Sequence, residues 1–307
     1  MAALGEALAP FFGQCWPYDS VLGHVLRLLT RSAGDAAAAV RVAALLPAAS
    51  MRNVAAQLAA SQRTPVLRSL LAGELPTELG ACLLHEMILR RKSVAGVADA
   101  WAPRLAGHPL GALPLHPLPG ETRMPLAGFG HGTESAGFPF GPSRVDPITV
   151  AGTVPEVVRE PAPAELTAAV TTWLTQSNGR AEAAVYTVSA ALDAETVGVR
   201  TVEALGLDCL AGGGLALRRA SLDEVVAILF FAAAYGGAYD HGLGGAHGRA
   251  AAWRSLTALA DGSHVGCAWW TFDAANDWFH RVAWDLGVLC LRQGGHVMAV
   301  LAATDSD

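Results

Sequence analysis

The chain has 307 residues, of which 52% are hydrophobic and only 16% are charged, and its formal net charge is −6. This composition excludes a disordered chain and predicts a well-packed protein of one large domain or two. The negative balance, with no basic cluster beyond residues 90–92, argues against a nucleic-acid partner. We therefore expect a small-molecule ligand or a protein partner, the latter including a homodimer formed through an aromatic surface.

Localisation signals are missing from the sequence. Glu6 precedes every basic residue, unlike in a signal peptide, and the longest strongly apolar uncharged run, residues 225–239, is too short to cross a bilayer. The five cysteines are odd in number and widely spaced, which is typical of reduced thiols in a cytoplasmic protein. Lys92 is the single lysine, and the high Ala and Gly content indicates a high-GC bacterial genome. We expect no membrane partner.

Residues 1–107 predict a helical bundle or a HEAT-like region. Apolar side chains recur at helical spacing from Val21 to Thr30, and two Ala-rich helices are expected at 36–46 and 51–61. Pro76 begins a further helix with apolar residues on adjoining faces. No internal repeat is strong enough to indicate a solenoid.

The remaining chain changes character twice. Residues 108–165 are rich in Pro and Gly but keep aromatic side chains, so we expect an ordered loop that packs on a domain. Residues 166–307 predict an α+β domain, and the whole chain is expected to be α+β: an all-helical N-terminal region and a mostly antiparallel C-terminal sheet packed with helices. The expected elements are helices at 165–175, from Ser221 to about 235, up to about 260, and at 276–291, with strands at 183–192, 215–219, 265–272 and 297–303.

Several catalytic motifs are incomplete. His85-Glu86 begins a zincin-like sequence, but Leu89 occupies the position of the second histidine. Residues 133–137 resemble a nucleophile elbow that lacks its first glycine and a preceding strand. Residues 242–248 are one residue away from the dinucleotide fingerprint and follow a helix rather than a strand. We therefore expect no metal and no cofactor.

A Gly-rich stretch after the apolar helix is the first candidate site. Six glycines between positions 236 and 248 allow close backbone approach, and the stretch ends at a helix N-terminus that favours an anion. Asp240, His241 and His247 could supply acid/base groups or metal ligands. The alternative is a tight turn between two helices, with Asp240 as a cap and the histidines bonded to backbone.

The helix predicted at 276–291 carries the second candidate site. At about 100° per residue, Asp277, His280 and Trp284 fall on one flank of its core face. A pair formed by Asp277 and His280 could orient and charge the imidazole for general catalysis. The alternative is an amphipathic helix whose edges pack on neighbouring elements.

Tryptophan is concentrated in the same part of the chain. It is a rigid, amphipathic residue that concentrates in cores and binding surfaces. Neighbouring residues of a strand face opposite sides of a sheet, so Trp269 and Trp270 do not belong to one patch. Five of the eight tryptophans lie in this segment: Trp253, Trp269, Trp270, Trp278 and Trp284.

The C-terminal part of the chain contains six distinctive blocks. They are Pro139-Phe-Gly-Pro-Ser143, Phe231-Ala-Ala-Ala-Tyr-Gly-Gly-Ala-Tyr239, Trp253-Arg-Ser-Leu256, Asp277-Trp-Phe-His280, Trp284-Asp-Leu-Gly287 and Leu301-Ala-Ala-Thr-Asp305. Through these blocks, residues 130–307 resemble an uncharacterised actinobacterial family of unknown function. The resemblance implies that this part of the chain acts as one unit, and it brings no activity, cofactor or catalytic residue with it.

The resulting hypothesis is a cytosolic small-molecule enzyme or ligand-binding protein, tied to secondary metabolism, with its site in the C-terminal domain. The alternative is a protein-interaction, scaffold or immunity-type protein without catalysis. The helical N-terminus and the incomplete motifs favour that alternative. The expected catalytic residues are His280, Asp277 and His241, and the expected substrate-binding residues are Trp284, Asp240, His247, Tyr239 and His131.

Overall fold

The computed structural model describes residues 1–129, 134–135, 147–280 and 284–306. They form two compact units. The helical unit comprises residues 1–118 and 244–250 with the described part of 126–137, and the sheet unit comprises the other described residues. The predicted α+β fold class is confirmed, because helices precede a six-stranded antiparallel sheet. No described helix combines the length and the apolar character that crossing a bilayer requires.

The helices of the helical unit follow the apolar spacing of the sequence. Leu22, Val25 and Leu29 share the buried face of the helix predicted around Val21 to Thr30. The Ala-rich helices and the helix after Pro76 are also confirmed. The helices are α1 (Ala2–Leu8), α2 (Trp16–Arg31), α3 (Ala36–Ala43), α4 (Ala48–Ser61), α5 (Thr64–Ala72), α6 (Thr77–Leu89) and α7 (Ala98–Leu105).

Helix α6 is the most buried helix described in this unit. Every residue from Leu79 to Leu89 is buried, although the segment includes Cys82, His85 and Glu86. A helix that is apolar all round belongs in a core, and the polar side chains it carries there must find partners inside the protein. These partners are described below.

The sheet unit is built on one antiparallel sheet, whose described strands follow the order β3-β4-β8-β7-β6-β5. One face carries Trp270, Leu289 and Val300, which belong to a single apolar cluster. A short pair, β1 (Gly128–Phe129) with β2 (Glu134–Ser135), belongs to the helical unit. The strands of the sheet are β3 (Val157–Glu160), β4 (Arg180–Val188), β5 (Leu215–Ala220), β6 (Ala268–Ala274), β7 (Asp285–Leu291) and β8 (Val297–Thr304).

The capping box at Ser221 is confirmed. The Ser221 hydroxyl accepts the backbone N–H of Glu224 at 3.2 Å, and the Glu224 carboxylate accepts the backbone N–H of Ser221 at 2.7 Å. The helix that follows is almost wholly buried, as its apolar composition predicts. The remaining α-helices are α8 (Thr171–Gln176), α9 (Val199–Glu203), α10 (Leu222–Tyr235) and α11 (Gly244–Ala260).

The helix predicted at 276–291 is wrong. Residues 275–279 form bends, and β7 (Asp285–Leu291) is an inner strand of the sheet. The Asn276 side-chain oxygen accepts the backbone N–H groups of Trp278 and Phe279, a local arrangement that competes with a helix. Residues 286–291 are buried on both faces of the sheet, and such a continuous apolar run shows no period that separates helix from strand.

The segment at 108–165 is more regular than the predicted loop. It contains a short 3-10 helix at Pro109–Ala112 and the edge strand β3, which pairs with β4 from Val157 to Glu160. The centre of this segment, residues 130–133 and 136–146, lies outside the described residues, and with it positions 133, 136 and 137 of the nucleophile-elbow resemblance.

Candidate functional site

Four chemically active side chains lie on one face of α6. Glu78, Cys82, His85 and Glu86 stand at i, i+4, i+7 and i+8, and this spacing places them side by side on an α-helix. Glu78 is partly accessible, whereas the other three are buried. The helical unit therefore contains a polar stripe inside an otherwise apolar core.

The Glu78 carboxylate is the centre of this stripe. It accepts hydrogen bonds from Arg52 Nε at 2.8 Å, His247 Nε2 at 2.9 Å and His108 Nε2 at 3.0 Å. Burial alone would raise the pKa of Glu78, but these bonds and the nearby positive charge outweigh it and lower the pKa to about 2. An ionised carboxylate only accepts hydrogen bonds, so both imidazoles donate from Nε2.

His108 and His247 differ in the contacts of Nδ1, the ring nitrogen that does not bond Glu78. His108 Nδ1 accepts the backbone N–H of Leu110 at 3.2 Å, so both of its ring nitrogens are engaged. Among the described residues, none bonds Nδ1 of His247. Burial and the Arg52 charge lower the pKa of His247, although Glu78 opposes the shift.

Cys82 forms the buried end of the cluster. Its Sγ lies 3.6 Å from the Glu78 carboxylate and is shielded from solvent. Burial, together with the negative charges of Glu78 and Glu86, raises the pKa of Cys82 well above its ordinary value. The side chain is therefore a thiol at neutral pH, and a cation beside it would be needed to produce a thiolate.

The donor atoms of Glu78, Cys82 and His247 all lie within 4.8 Å of one another. A tetrahedral zinc site with bonds of 2.0–2.3 Å places its donor atoms roughly 3.3–3.8 Å apart. The Cys82 sulfur and the Glu78 oxygen, 3.6 Å apart, already fit this range, whereas the Glu78 oxygen and His247 Nε2, 2.9 Å apart, would have to separate slightly. The Glu78 and His247 side chains keep 19% and 14% of their surface exposed, which gives solvent access to the cluster. The arrangement can therefore hold a transition-metal ion.

His85 of α6 and Arg249 of α11 form a buried pair with a structural role. Arg249 Nη1 lies 2.8 Å from His85 Nδ1, and the same guanidinium donates to the backbone oxygens of Pro114 and His116. Burial and the Arg249 charge lower the pKa of His85 to about 3. A neutral His85 can accept the guanidinium hydrogen bond, so this contact fixes the loop after α7 to the core.

Asp240, a predicted site residue, shapes a turn. Its carboxylate accepts the backbone N–H of Gly237 at 3.0 Å and of Gly242 at 2.6 Å. Tyr239 and His241 beside it are exposed. These contacts are those of the turn between helices that the sequence offered as the alternative.

His247, predicted with that group, instead belongs to the Glu78 cluster. The first candidate site is therefore divided between the two compact units, because Asp240 and His241 belong to the sheet unit and residues 244–250, with His247, belong to the helical unit.

The second predicted group, Asp277, His280 and Trp284, is expected on one flank of a helix, but the structure has bends and a strand there. Asp277 and His280 are both exposed on the bends before β7, where a helical i, i+3 pair cannot form. The backbone oxygen of Asp277, not its carboxylate, accepts a hydrogen bond from Arg180 at 2.9 Å. Trp284 is half-buried, and its backbone oxygen accepts the N–H of Asp305 at 3.0 Å. His131 lies outside the described residues.

Sequence reasoning missed Glu78, Cys82, Arg52 and His108. The zincin motif involves only His85, Glu86 and position 89, so it does not include Glu78 or Cys82. The useful signal was the recurrence of Glu78, Cys82 and Glu86 on one face of a helix that is otherwise apolar. Such a face predicts internal polar partners but does not identify them.

The comparisons with known proteins give a family. No curated protein and no solved structure matches this chain. The model of a family of unknown function, DUF6183, matches residues 1–307, which covers both the helical and the sheet unit. The expected membership of an uncharacterised family is confirmed, whereas the actinobacterial origin stays a prediction. The chain belongs to the family of unknown function DUF6183.

Proposed function

We propose that this protein is a cytosolic small-molecule enzyme that works with a divalent transition-metal ion held by Glu78, Cys82 and His247. The observation that supports the proposal is the convergence of one oxygen, one sulfur and one nitrogen donor within 4.8 Å. The expected small-molecule chemistry is retained. The proposed site lies in the helical unit rather than among the C-terminal residues predicted from the sequence. The proposed metal also departs from the expectation of no metal and no cofactor.

The donor types favour Zn²⁺. Mixed sulfur, nitrogen and oxygen ligands suit zinc, whereas magnesium and calcium prefer oxygen alone. Three protein ligands leave a fourth position for water or substrate, which is the pattern of catalytic zinc sites. Binding would take Cys82 as the thiolate and release its proton, so the ion offsets the cost of burying that charge.

Two neighbouring side chains complete the proposed centre. His108 bonds the second carboxylate oxygen of Glu78 and would orient this ligand toward the metal. Arg52 is 31% exposed and uses Nε on Glu78, and among the described residues none bonds its terminal nitrogens. These nitrogens suit an anionic substrate. We therefore propose hydrolysis of a small anionic ester, for which the ion, when bound, would supply an activated water and polarise the acyl or phosphoryl oxygen.

The metal centre on which this function depends is tested by measuring zinc affinity in competition with a chromogenic chelator. The full chain should bind one equivalent, and Cys82→Ser and His247→Ala should each weaken binding by at least about tenfold because a ligand is lost. His24→Ala is the matched control, since His24 is exposed on α2 outside the cluster. Wild-type protein that binds no zinc, or a Cys82→Ser variant that binds it equally well, would show that the proposal is wrong.

An interaction protein is the second candidate function, and an exposed aromatic surface favours it. Trp16 is 79% exposed, and Phe11 and Tyr18, whose rings lie 5.6 Å apart, are 46% and 45% exposed. Exposed aromatic patches mark protein interfaces. Sedimentation should detect a homodimer that Trp16→Ser dissociates. Wild-type protein that stays monomeric at high concentration would contradict self-association through this surface.

A further inference from the structure

The two outer strands of the six-stranded sheet, β5 and β3, differ in what covers them. On β5, the Leu217 carbonyl accepts the backbone N–H of Ile148 at 2.7 Å, so a segment of the same chain covers that edge. β3 (Val157–Glu160) pairs with β4 on one side, and none of the described residues bonds its outer side. Within the described part of the chain, β3 is therefore an open edge of the sheet.

The hydrogen-bond register shows which backbone groups of β3 face outward. The Glu156 carbonyl accepts the backbone N–H of Ser189 at 3.2 Å, which extends the pairing of β3 with β4 by one residue. In an antiparallel pair, only alternate residues of a strand bond the neighbouring strand. Val158, two positions on, therefore bonds β4, whereas Val157 and Arg159 direct their N–H and C=O groups away from it. An incoming strand can bond all of these outward groups.

The side chains at this edge differ between the two faces of the sheet. Val157 packs against the apolar cluster on one face. Because side chains alternate along a strand, Glu156, Val158 and Glu160 project from the opposite face. All three are exposed, Val158 keeps 62% of its surface accessible, and the Glu160 carboxylate accepts the Thr187 hydroxyl at 3.4 Å. This face of the edge therefore presents an apolar residue between two carboxylates.

The charge of these two carboxylates is not balanced within the sheet unit. The cation of the same strand, Arg159, lies opposite Tyr186 on the other face, with its guanidinium 6.0 Å from that ring and 3.7 Å from the Glu182 carboxylate. Among the described residues, no Arg, Lys or His side chain forms an ion pair with Glu156 or Glu160. The open edge therefore attracts positive charge on the face that carries Glu156 and Glu160.

A second copy of this chain fits the edge poorly. A self-paired edge that uses every outward group places Glu156 opposite Glu160 of the other copy on both sides of the two-fold axis. Like charges directly opposite each other destabilise an antiparallel pair. A shift of the register by two residues brings Pro155 or Pro161, which has no N–H, into a bonded position. The prolines and carboxylates therefore disfavour self-association through β3.

We propose that the outer edge of β3 binds an extended basic segment of another protein, which joins the sheet as a further antiparallel strand. Backbone bonds to Val157 and Arg159 supply affinity, and the side chains of the incoming segment supply selectivity. Lys or Arg residues opposite Glu156 and Glu160 pair opposite charges across the strands. An apolar residue between them lies opposite Val158 and covers this exposed side chain.

Two labelled peptides test the selectivity of the edge by fluorescence anisotropy with the full chain. The probe is acetyl-Thr-Lys-Thr-Val-Thr-Lys-Thr-amide, and the control peptide carries Glu in place of both Lys residues. The lysine peptide should bind at least about tenfold more tightly, because it pairs opposite charges across the strands. Glu156→Gln combined with Glu160→Gln should remove most of this preference. Equal affinity of the two peptides for wild-type protein, or no binding of the lysine peptide, would overturn the proposal.

Proline at position 159 separates strand addition from general attraction to an acidic protein. Arg159→Pro removes an outward N–H but no bond to β4, and the matched control Arg159→Ala loses the same side chain and keeps the N–H. Arg159→Pro should bind the lysine peptide at least about tenfold more weakly than Arg159→Ala does. In wild-type protein, where no variant has to fold, the peptide should slow hydrogen exchange at the Val157 amide more than at that of Val158. Equal binding by both variants, or unchanged exchange at Val157, would contradict strand addition.

Sedimentation of the same variants without peptide tests the alternative occupant, a second copy. Any dimer that forms should persist in Arg159→Pro, because the proposal leaves this edge free in the protein alone. A dimer that Arg159→Pro dissociates and Arg159→Ala keeps would assign the edge to self-association and overturn the proposal. The edge belongs to the sheet unit and shares no residue with the proposed metal centre, so either proposal can fail without the other.

Discussion

Glu86 shows how a single buried carboxyl constrains its surroundings. It is 1% exposed and its carboxylate lies 3.6 Å from Arg90 Nε. A Cβ added at Gly245 would lie 2.2 Å from a Glu86 oxygen, so only glycine lets this carboxyl approach the start of α11. Burial outweighs the Arg90 charge, and it raises the pKa of Glu86 to about 7.

This raised pKa predicts a pH-dependent stability. The folded protein holds the Glu86 proton more tightly than the unfolded chain does, so the stabilising contribution is complete below about pH 4 and is lost as the pH rises through about 7. Glu86→Gln should remove this loss, worth up to roughly 3 kcal/mol. Urea unfolding at pH 5 and pH 8 measures it. Parallel pH profiles for wild-type protein and Glu86→Gln would contradict the assignment.

At the scale of elements, the packing of α6 depends on Gly80, which lets Trp101 of α7 approach the α6 backbone closely. A Cβ added at Gly80 would lie 1.8 Å from the Trp101 ring, which is itself buried and donates its Nε1–H to the backbone oxygen of Leu71 at 2.8 Å. Gly80 and Trp101 both belong to the helical unit. The glycine therefore allows a tryptophan to pack directly on the backbone of the buried helix.

Gly80→Ala should destabilise the protein because Trp101 cannot move without losing its hydrogen bond. Overpacking of this kind costs about 1–3 kcal/mol. Gly23→Ala in α2 is the matched control, since nothing lies within 4 Å of its added Cβ. It should stabilise the chain by roughly 0.5–1 kcal/mol. Thermal unfolding distinguishes the two variants, and equal shifts of their unfolding midpoints from that of wild-type protein would contradict the packing argument.

Local signals explain which elements the sequence predicts correctly. The capping box at Ser221 involves residues three positions apart, so its bonds form wherever the helix forms. The segment 276–291 is predicted as a helix, but its residues 285–291 form β7 because β6 and β8 supply hydrogen-bonding partners on both sides. An apolar run without flanking context fits either structure.

At the scale of the whole molecule, the proposed centre joins distant parts of the chain. His247 and Glu78 are 169 positions apart in the sequence, yet their side chains lie within 2.9 Å. The fold class follows from composition and periodicity, but this convergence follows from tertiary packing, which no single segment encodes. The sequence predicts His247 as a site residue beside Asp240 and His241, whereas the structure places its side chain against Glu78.

Cobalt substitution tests the metal centre most directly, because the absorption of Co²⁺ reports both its ligands and its geometry. One equivalent of Co²⁺ added to the full chain should produce a near-ultraviolet thiolate-to-cobalt charge-transfer band and the intense visible bands of a four-coordinate ion. Cys82→Ser should lose the charge-transfer band, and His24→Ala should keep both features. A wild-type spectrum that matches aqueous Co²⁺, or one unchanged in Cys82→Ser, would contradict a metal centre at Glu78, Cys82 and His247.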